Sequence, residues 1–284
     1  LLGPRLGAGD LDGVVPRHRL GVGDANLIAH FAALLHRHLH HHALPFPQAV
    51  QDSDLVSGAP KWIKDQTGGS GQANATFGKS VSIAAYRPAG APAGQPDSFL
   101  VVGAPGEDVA GVTDSGKVHR YHVTATAVNG VNGLTQGVGG LTGAAEEGDY
   151  FGERVLVVNR NPADVATAQT LMVAVAVPGQ DLPGAPDAGV VQVFGAAADP
   201  VSGSVQVRRG SVHLPGNPTQ QELVGLSVSA SAQHLYLGTP YGDPAVYALA
   251  WSDLVAGTAT PVQTWKPGEG GIPAGEVAFG AAIG

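Results

Sequence analysis

The chain has 284 residues, of which 42 are glycine and 21 proline; 43% are hydrophobic and 13% charged. The apolar content can build a core, while so many helix breakers and so few charges exclude a long helical bundle or coiled coil. A formal net charge of −8 and the absence of cysteine argue against a basic nucleic-acid grip and exclude disulfides, thiol catalysis and zinc ribbons. Glycine does not recur every third residue as collagen requires, so turn-rich all-β structure is what remains. The longest strongly apolar run, Leu171–Val177, falls far short of the ~20 residues of a spanning helix.

The chain opens at Leu1 with neither a methionine nor a signal-peptide pattern, as expected of a fragment or a misassigned start. Residues 1–48 then read as an atypical leader. His30, His36, His38, His40, His41 and His42 crowd together, and His36/His40 and His38/His42 have the i,i+4 spacing that chelates a metal on a helix. Leu27, Phe31, Leu34, Leu35 and Leu39 would give that helix an apolar stripe. No carboxylate within the stretch completes a metal site, and composition changes sharply near Gln48. The expectation is an irregular or helical leader, disordered or non-native, followed by a distinct region over 49–284.

That region repeats. Phe77-Gly78-Lys79-Ser80-Val81 leads to Gly103-Ala104-Pro105, and Phe151-Gly152-Glu153-Arg154-Val155 leads to Ala176-Val177-Pro178. Beyond each proline the register is shared: Asp108 matches Asp181, Asp114 matches Asp187, and Gly116 matches Gly189. A shorter third copy runs from Val224-Gly225 through Gly238-Thr239-Pro240, and a fourth opens at Phe279-Gly280. A lone Gly58-Ala59-Pro60 precedes them all.

Each copy predicts strands. Val81–Ala84 and Val155–Val158 are short and rich in β-branched residues. Phe99–Val102 and Leu171–Val175 are continuous apolar runs, as expected of strands covered on both faces. Lys117–Tyr121, Val190–Phe194 and Ala245–Leu249 follow the glycine turns. Such a sheet cannot hide both faces alone, whereas stacking it against copies of itself does.

Phe-Gly, a Val-rich strand, Gly-Ala-Pro and then Gly-x-Val-x-x-Tyr/Phe resembles the FG-GAP repeat, which forms the blades of the integrin α-chain propeller and of many secreted actinobacterial proteins. The resemblance covers roughly 52–284 and rests on Phe77, Gly78, Gly103, Ala104, Pro105, Phe151, Gly152, Pro178, Gly225, Gly238, Pro240, Phe279 and Gly280. It implies an all-β fold, a partial β-propeller of four-stranded blades belonging to a larger one. It also implies calcium in the loop between the first two strands of a blade. Residues 86–98 offer only Asp97, and residues 159–170 offer Asn159, Asn161 and Asp164 beside Arg160, so tight calcium is not expected there. Gly9-Asp10-Leu11-Asp12-Gly13 resembles the start of such a loop, which makes Asp10 and Asp12 the calcium candidates. Val14 stands at the third ligand position, and a solvated turn is the competing reading.

Asp108, Asp114, Asp181 and Asp187 fit turns in which the carboxylate accepts from nearby backbone N–H groups; an accessory cation contact is the alternative. Phe77-Gly78-Lys79-Ser80 mimics the end of a phosphate loop, but Ala73 replaces the required glycine and a strand pattern follows. No Gly-x-Ser-x-Gly elbow or His-Glu-x-x-His is present, and Asn74-Ala75-Thr76 is a formal sequon. Trp62, Trp251 and Trp265 either fill gaps between blades or stack on sugars. The resemblance implies a non-enzymatic scaffold, extracellular or at the cell surface, that binds a protein or glycan through loops on one face. Residues 90–97, 179–186 and 241–244 are the candidate tips. The alternative is the propeller region of a larger secreted hydrolase or lipase whose catalytic domain lies outside this chain.

Overall fold

The computed structural model describes residues 72, 74–92, 94, 96–139, 141–196, 203–275 and 278–283. The expected leader, Asp10 and Asp12, Gly58-Ala59-Pro60 and Trp62 lie outside the described residues. The rest is all-β, with three four-stranded antiparallel sheets in chain order. The first holds β1 (Ser80–Tyr86), β2 (Asp97–Ala104), β3 (Lys117–Val123) and β4 (Val128–Leu134). The second holds β5 (Val155–Asn159), β6 (Leu171–Val177), β7 (Val190–Gly195) and β8 (Val205–Val207). The third holds β9 (Ser227–Ala230), β10 (His234–Thr239), β11 (Ala245–Ala250) and β12 (Gln263–Trp265). Each is a meander in which every strand pairs with the next, and no sheet closes on itself.

The apolar runs sit where both faces are covered. Every residue of β6 is buried. Its alternation divides the core: Val173 and Val175 pack with Phe99, Val101, Val118 and Leu134 of the first sheet. Met172 and Ala174 pack with Leu235, Leu237, Tyr247 and Leu249 of the third. Side chains two residues apart share a face, so one strand serves two seams. Each fully buried Val or Leu contributes roughly 1.5–3 kcal/mol. The seam between the first two sheets is also pinned by polar contacts. Ser80 and Ser82 of β1 offer their Oγ atoms to the Val155 and Val157 N–H groups of β5, at 3.0 and 2.9 Å.

In the third copy the first strand starts at Ser227, and Gly225 at φ 107° belongs to the turn that seats it. Trp251 opens a helix, α1 (Trp251–Ala256), ended by Gly257 in the left-handed region, where the sequence suggested only strand and loop. Phe77 and Phe151 stand in unlike surroundings. Phe151 is fully buried between two sheets, whereas Phe77, which opens the first described sheet, is half-buried edge-on to His119.

Candidate functional site

The repeat motif builds joints between sheets. The N–H groups of Gly78 and Gly152 donate to the carbonyls at the Gly-Ala-Pro position of their own sheets, Gly103 at 2.9 Å and Ala176 at 3.0 Å. Gly152 and its counterparts Gly225 and Gly280 also meet the preceding sheet. A Cβ on Gly103 would overlap the Gly152 carbonyl oxygen, and one on Gly238 would overlap that of Gly280. A Cβ on Gly225 would stand 2.9 Å from the Cβ of Ala176. Two residues before each such glycine, Thr76, Tyr150, Leu223 and Ala278 all adopt positive φ, from 49° to 60°. Four non-glycine residues in that sparsely populated region, at one repeat position, mark a backbone held by its surroundings. Phe151 and Val224 complete the joints by donating their N–H groups to Ser115 and Ala188 of the preceding sheet, at 3.1 and 2.9 Å.

These joints lie at one end of the sheets, with the β2–β3, β6–β7 and β10–β11 loops and the connections from each sheet to the next. Within the loops the aspartates are turn builders. Asp108 Oδ1 accepts from the Asp114 N–H at 3.0 Å, and Asp181 Oδ1 accepts from that of Asp187 at 2.9 Å. Asp114 and Asp187 have φ 49° and 52°. Glu107 Oε1 pairs with Lys117 at 3.1 Å, and Oε2 with His119 at 2.8 Å. Burial pushes the Glu107 carboxyl up, but the His119 and Lys117 contacts outweigh it and hold the group below its ordinary range.

The candidate loop tips do not share a face. A meander puts its first loop opposite its second, so residues 90–97, between β1 and β2, lie at the other end from 179–186 and 241–244. Exposed large hydrophobics favour the joint end. Val138, Tyr150, Val212, Tyr241 and Trp265 are there, against Val255 and Val262 at the other.

Calcium does not fit the loops the resemblance designates. Asp97 Oδ2 holds His122 at 2.7 Å. Asn159 spends its amide on the Asn161 and Asp164 carbonyls, at 2.8 and 2.7 Å, and its Oδ1 accepts from the Asn161 N–H. With Asn159 spent on its own backbone, the loop's side-chain oxygens come from Asn161 and Asp164, short of the six to eight ligands such an ion takes. Among the described residues no group of three or more His, Asp or Glu side chains could hold a metal ion. Trp251 is 1% exposed and donates to the Ser231 carbonyl at 2.9 Å, so it cannot stack on a sugar.

No model of a known protein family matches the chain, and no curated protein matches it. At matching positions of the repeat the chain carries a site that the motif does not mark, a polar slot in each seam. Between the second and third sheets Arg209 and Glu222 are both 1% exposed. The guanidinium gives Nε at 2.8 Å, and also Nη2, to Glu222 Oε1. Nη1 donates to the Tyr247 hydroxyl and the Pro215 carbonyl, each at 2.8 Å. Burial works against the Arg209 charge, but the Glu222 and Tyr247 contacts prevail and raise its pKa. The usable signal is register: Gln136 and Asp149 stand 73 residues before Arg209 and Glu222. Among the described residues no helix is long and apolar enough to cross a membrane.

Proposed function

We propose that the three sheets are consecutive blades of a partial β-propeller, and that the protein is a non-enzymatic scaffold, extracellular or at the cell surface. Its partner, a protein or a glycan, docks on the joint end. The observation that carries this reading is the uneven placement of exposed Tyr150, Tyr241, Trp265, Val138 and Val212 on that end. Tyrosine and tryptophan supply large contact area at low entropic cost, and rigid sheets hold loops in fixed relation. The glycine joints make the sheets a stiff base, so the loops between them set specificity rather than the fold itself.

The test is binding of the full chain to a glycan array and to an array of extracellular proteins. The reading expects a bound probe that is lost with Tyr150→Ala plus Tyr241→Ala and retained with Val255→Ser plus Val262→Ser. Absence of any bound probe, or equal loss in both double variants, overturns it.

A further inference from the structure

The two seams carry one slot filled in two ways. Gly137 and Gly210 open the connections with φ 71° and 77°, and Gly143 and Gly216 follow with φ 101° and 94°. The Glu146 N–H donates to Asp149 Oδ2 at 2.7 Å, and the Thr219 N–H donates to Glu222 Oε2 at 3.4 Å. Gln136 therefore stands where Arg209 does, and Asp149 where Glu222 does. Gln192 matches Tyr247 in the strand ladder, facing Val175 as Tyr247 faces Leu237. Its Nε2 reaches the Thr142 carbonyl at 2.8 Å, the counterpart of the Arg209 bond to Pro215.

The donors do not match. In the first seam Gln136 spends its Nε2 on Gln180 Oε1. Among the described residues Asp149 Oδ1, Gln136 Oε1 and Gln192 Oε1 are buried acceptors with no partner. Asp149 and Gln192 are 0% exposed and Gln136 is 2% exposed. The ionisable groups acting on Asp149 are Glu146, on its own connection, and Asp181, in the β6–β7 loop, and both are acidic. The β2–β3 loop beneath it adds the Thr113 and Asp114 carbonyls, bonded to the Gly148 and Tyr150 N–H groups at 3.1 and 3.0 Å, and a further carboxylate on Asp114. Among the described residues no basic side chain takes the place of the guanidinium.

We propose that a proton fills this place: Asp149 is carried as the neutral acid and donates its O–H to the Gln136 carbonyl, so the joint between the first two sheets is proton-operated. A neutral acid turns one orphan acceptor into a donor and gives a second its partner. Loss of the proton leaves a carboxylate with no facing cation and with Oδ1 unpartnered in a buried, acidic site, which is costly and loosens the seam. In agreement, burial above all, with Glu146 and Asp181 adding to it against the Glu146 N–H bond, pushes the Asp149 carboxyl up to about 7.

The test compares melting of wild type, Asp149→Asn and Gln136→Arg at about pH 6 and about pH 8 in chelator-treated buffer. The wild-type Tm should fall by about 4 °C more than that of Asp149→Asn over this window. Gln136→Arg, which restores the guanidinium of the second seam, should abolish the fall. Equal pH slopes for wild type and Asp149→Asn overturn the proposal, as does recovery of the wild-type Tm at pH 8 on adding sodium or calcium, which would make the filler a metal ion. A readout that needs no variant is the titration of ¹³C-carboxyl-labelled aspartates in wild type. One should titrate near neutrality, and none doing so overturns the proposal.

Discussion

Gly103 lies directly beneath the carbonyl of Gly152, so close that the first sheet has no room for a side chain at this point. The reverse contact is equally tight: a Cβ on Gly152 would stand 3.2 Å from the Gly103 Cα and 3.0 Å from the Lys117 carbonyl, and Gly152 has φ 98°. Gly103→Ala should therefore push the first two sheets apart and cost about 1–3 kcal/mol in chemical denaturation. The second seam bears on the size, since Ala176 occupies the equivalent place there and is accommodated against Gly225. Gly103→Val should cost more than Gly103→Ala. Equal stability of both with wild type would show that the joint does not hold the sheets in register.

The Arg209–Glu222 pair makes a different prediction. Removing one member, as in Arg209→Met, leaves a buried carboxylate without its cation and should cost about 3–5 kcal/mol. Glu222→Gln should cost a comparable amount, since Arg209 is then the stranded charge. The double variant Arg209→Gln with Glu222→Asp copies the first seam's set and should cost less than Arg209→Gln alone and Glu222→Asp alone added together. A double-mutant cycle by urea denaturation measures that coupling, and additive losses would contradict the pairing.

Much of the architecture was legible because the repeat encodes it. Phe99–Val102 and Leu171–Val175 are apolar without alternation, which only strands buried on both faces require, and β2 and β6 are such strands. Asp108 and Asp181 were readable as turn residues since a short carboxylate beside glycines has local N–H groups to satisfy. The rest depended on distant contacts. Helix α1 has no side-chain cap to announce it, and its stability comes from burying Trp251 and Leu254. The slots were hidden because Arg209 and Glu222 lie in a connection that looks solvated until the next sheet closes over it. Loop placement was misread for residues 90–97, since motif spacing does not say at which end of a meander a loop falls.

The aspartate turns should behave as structure rather than as ligand sites. Asp108→Ala and Asp181→Ala each remove one acceptor for a backbone N–H and should cost about 1 kcal/mol by thermal melting. The loss should be the same with calcium or with chelator. Asp108→Asn and Asp181→Asn keep an oxygen in place and should recover most of it. A calcium-dependent loss in the alanine variants would reassign these loops to ion binding.

Glu107 should control stability on the acid side. Its carboxyl is held below the ordinary 4.5 in the folded chain, so folding favours the ionised form. The unfolded chain then binds the proton more readily, and stability rises with pH through this range. The contribution is present above about pH 4.5 and is lost as pH falls through the lower folded value. Glu107→Gln removes the charge that Lys117 and His119 face, at 3.1 and 2.8 Å. The variant should therefore melt below wild type at pH 6, and the two curves should converge on acidification towards pH 3. A gap that stays constant across that range would mean that the glutamate acts through packing alone, and that its two partners draw nothing from its charge.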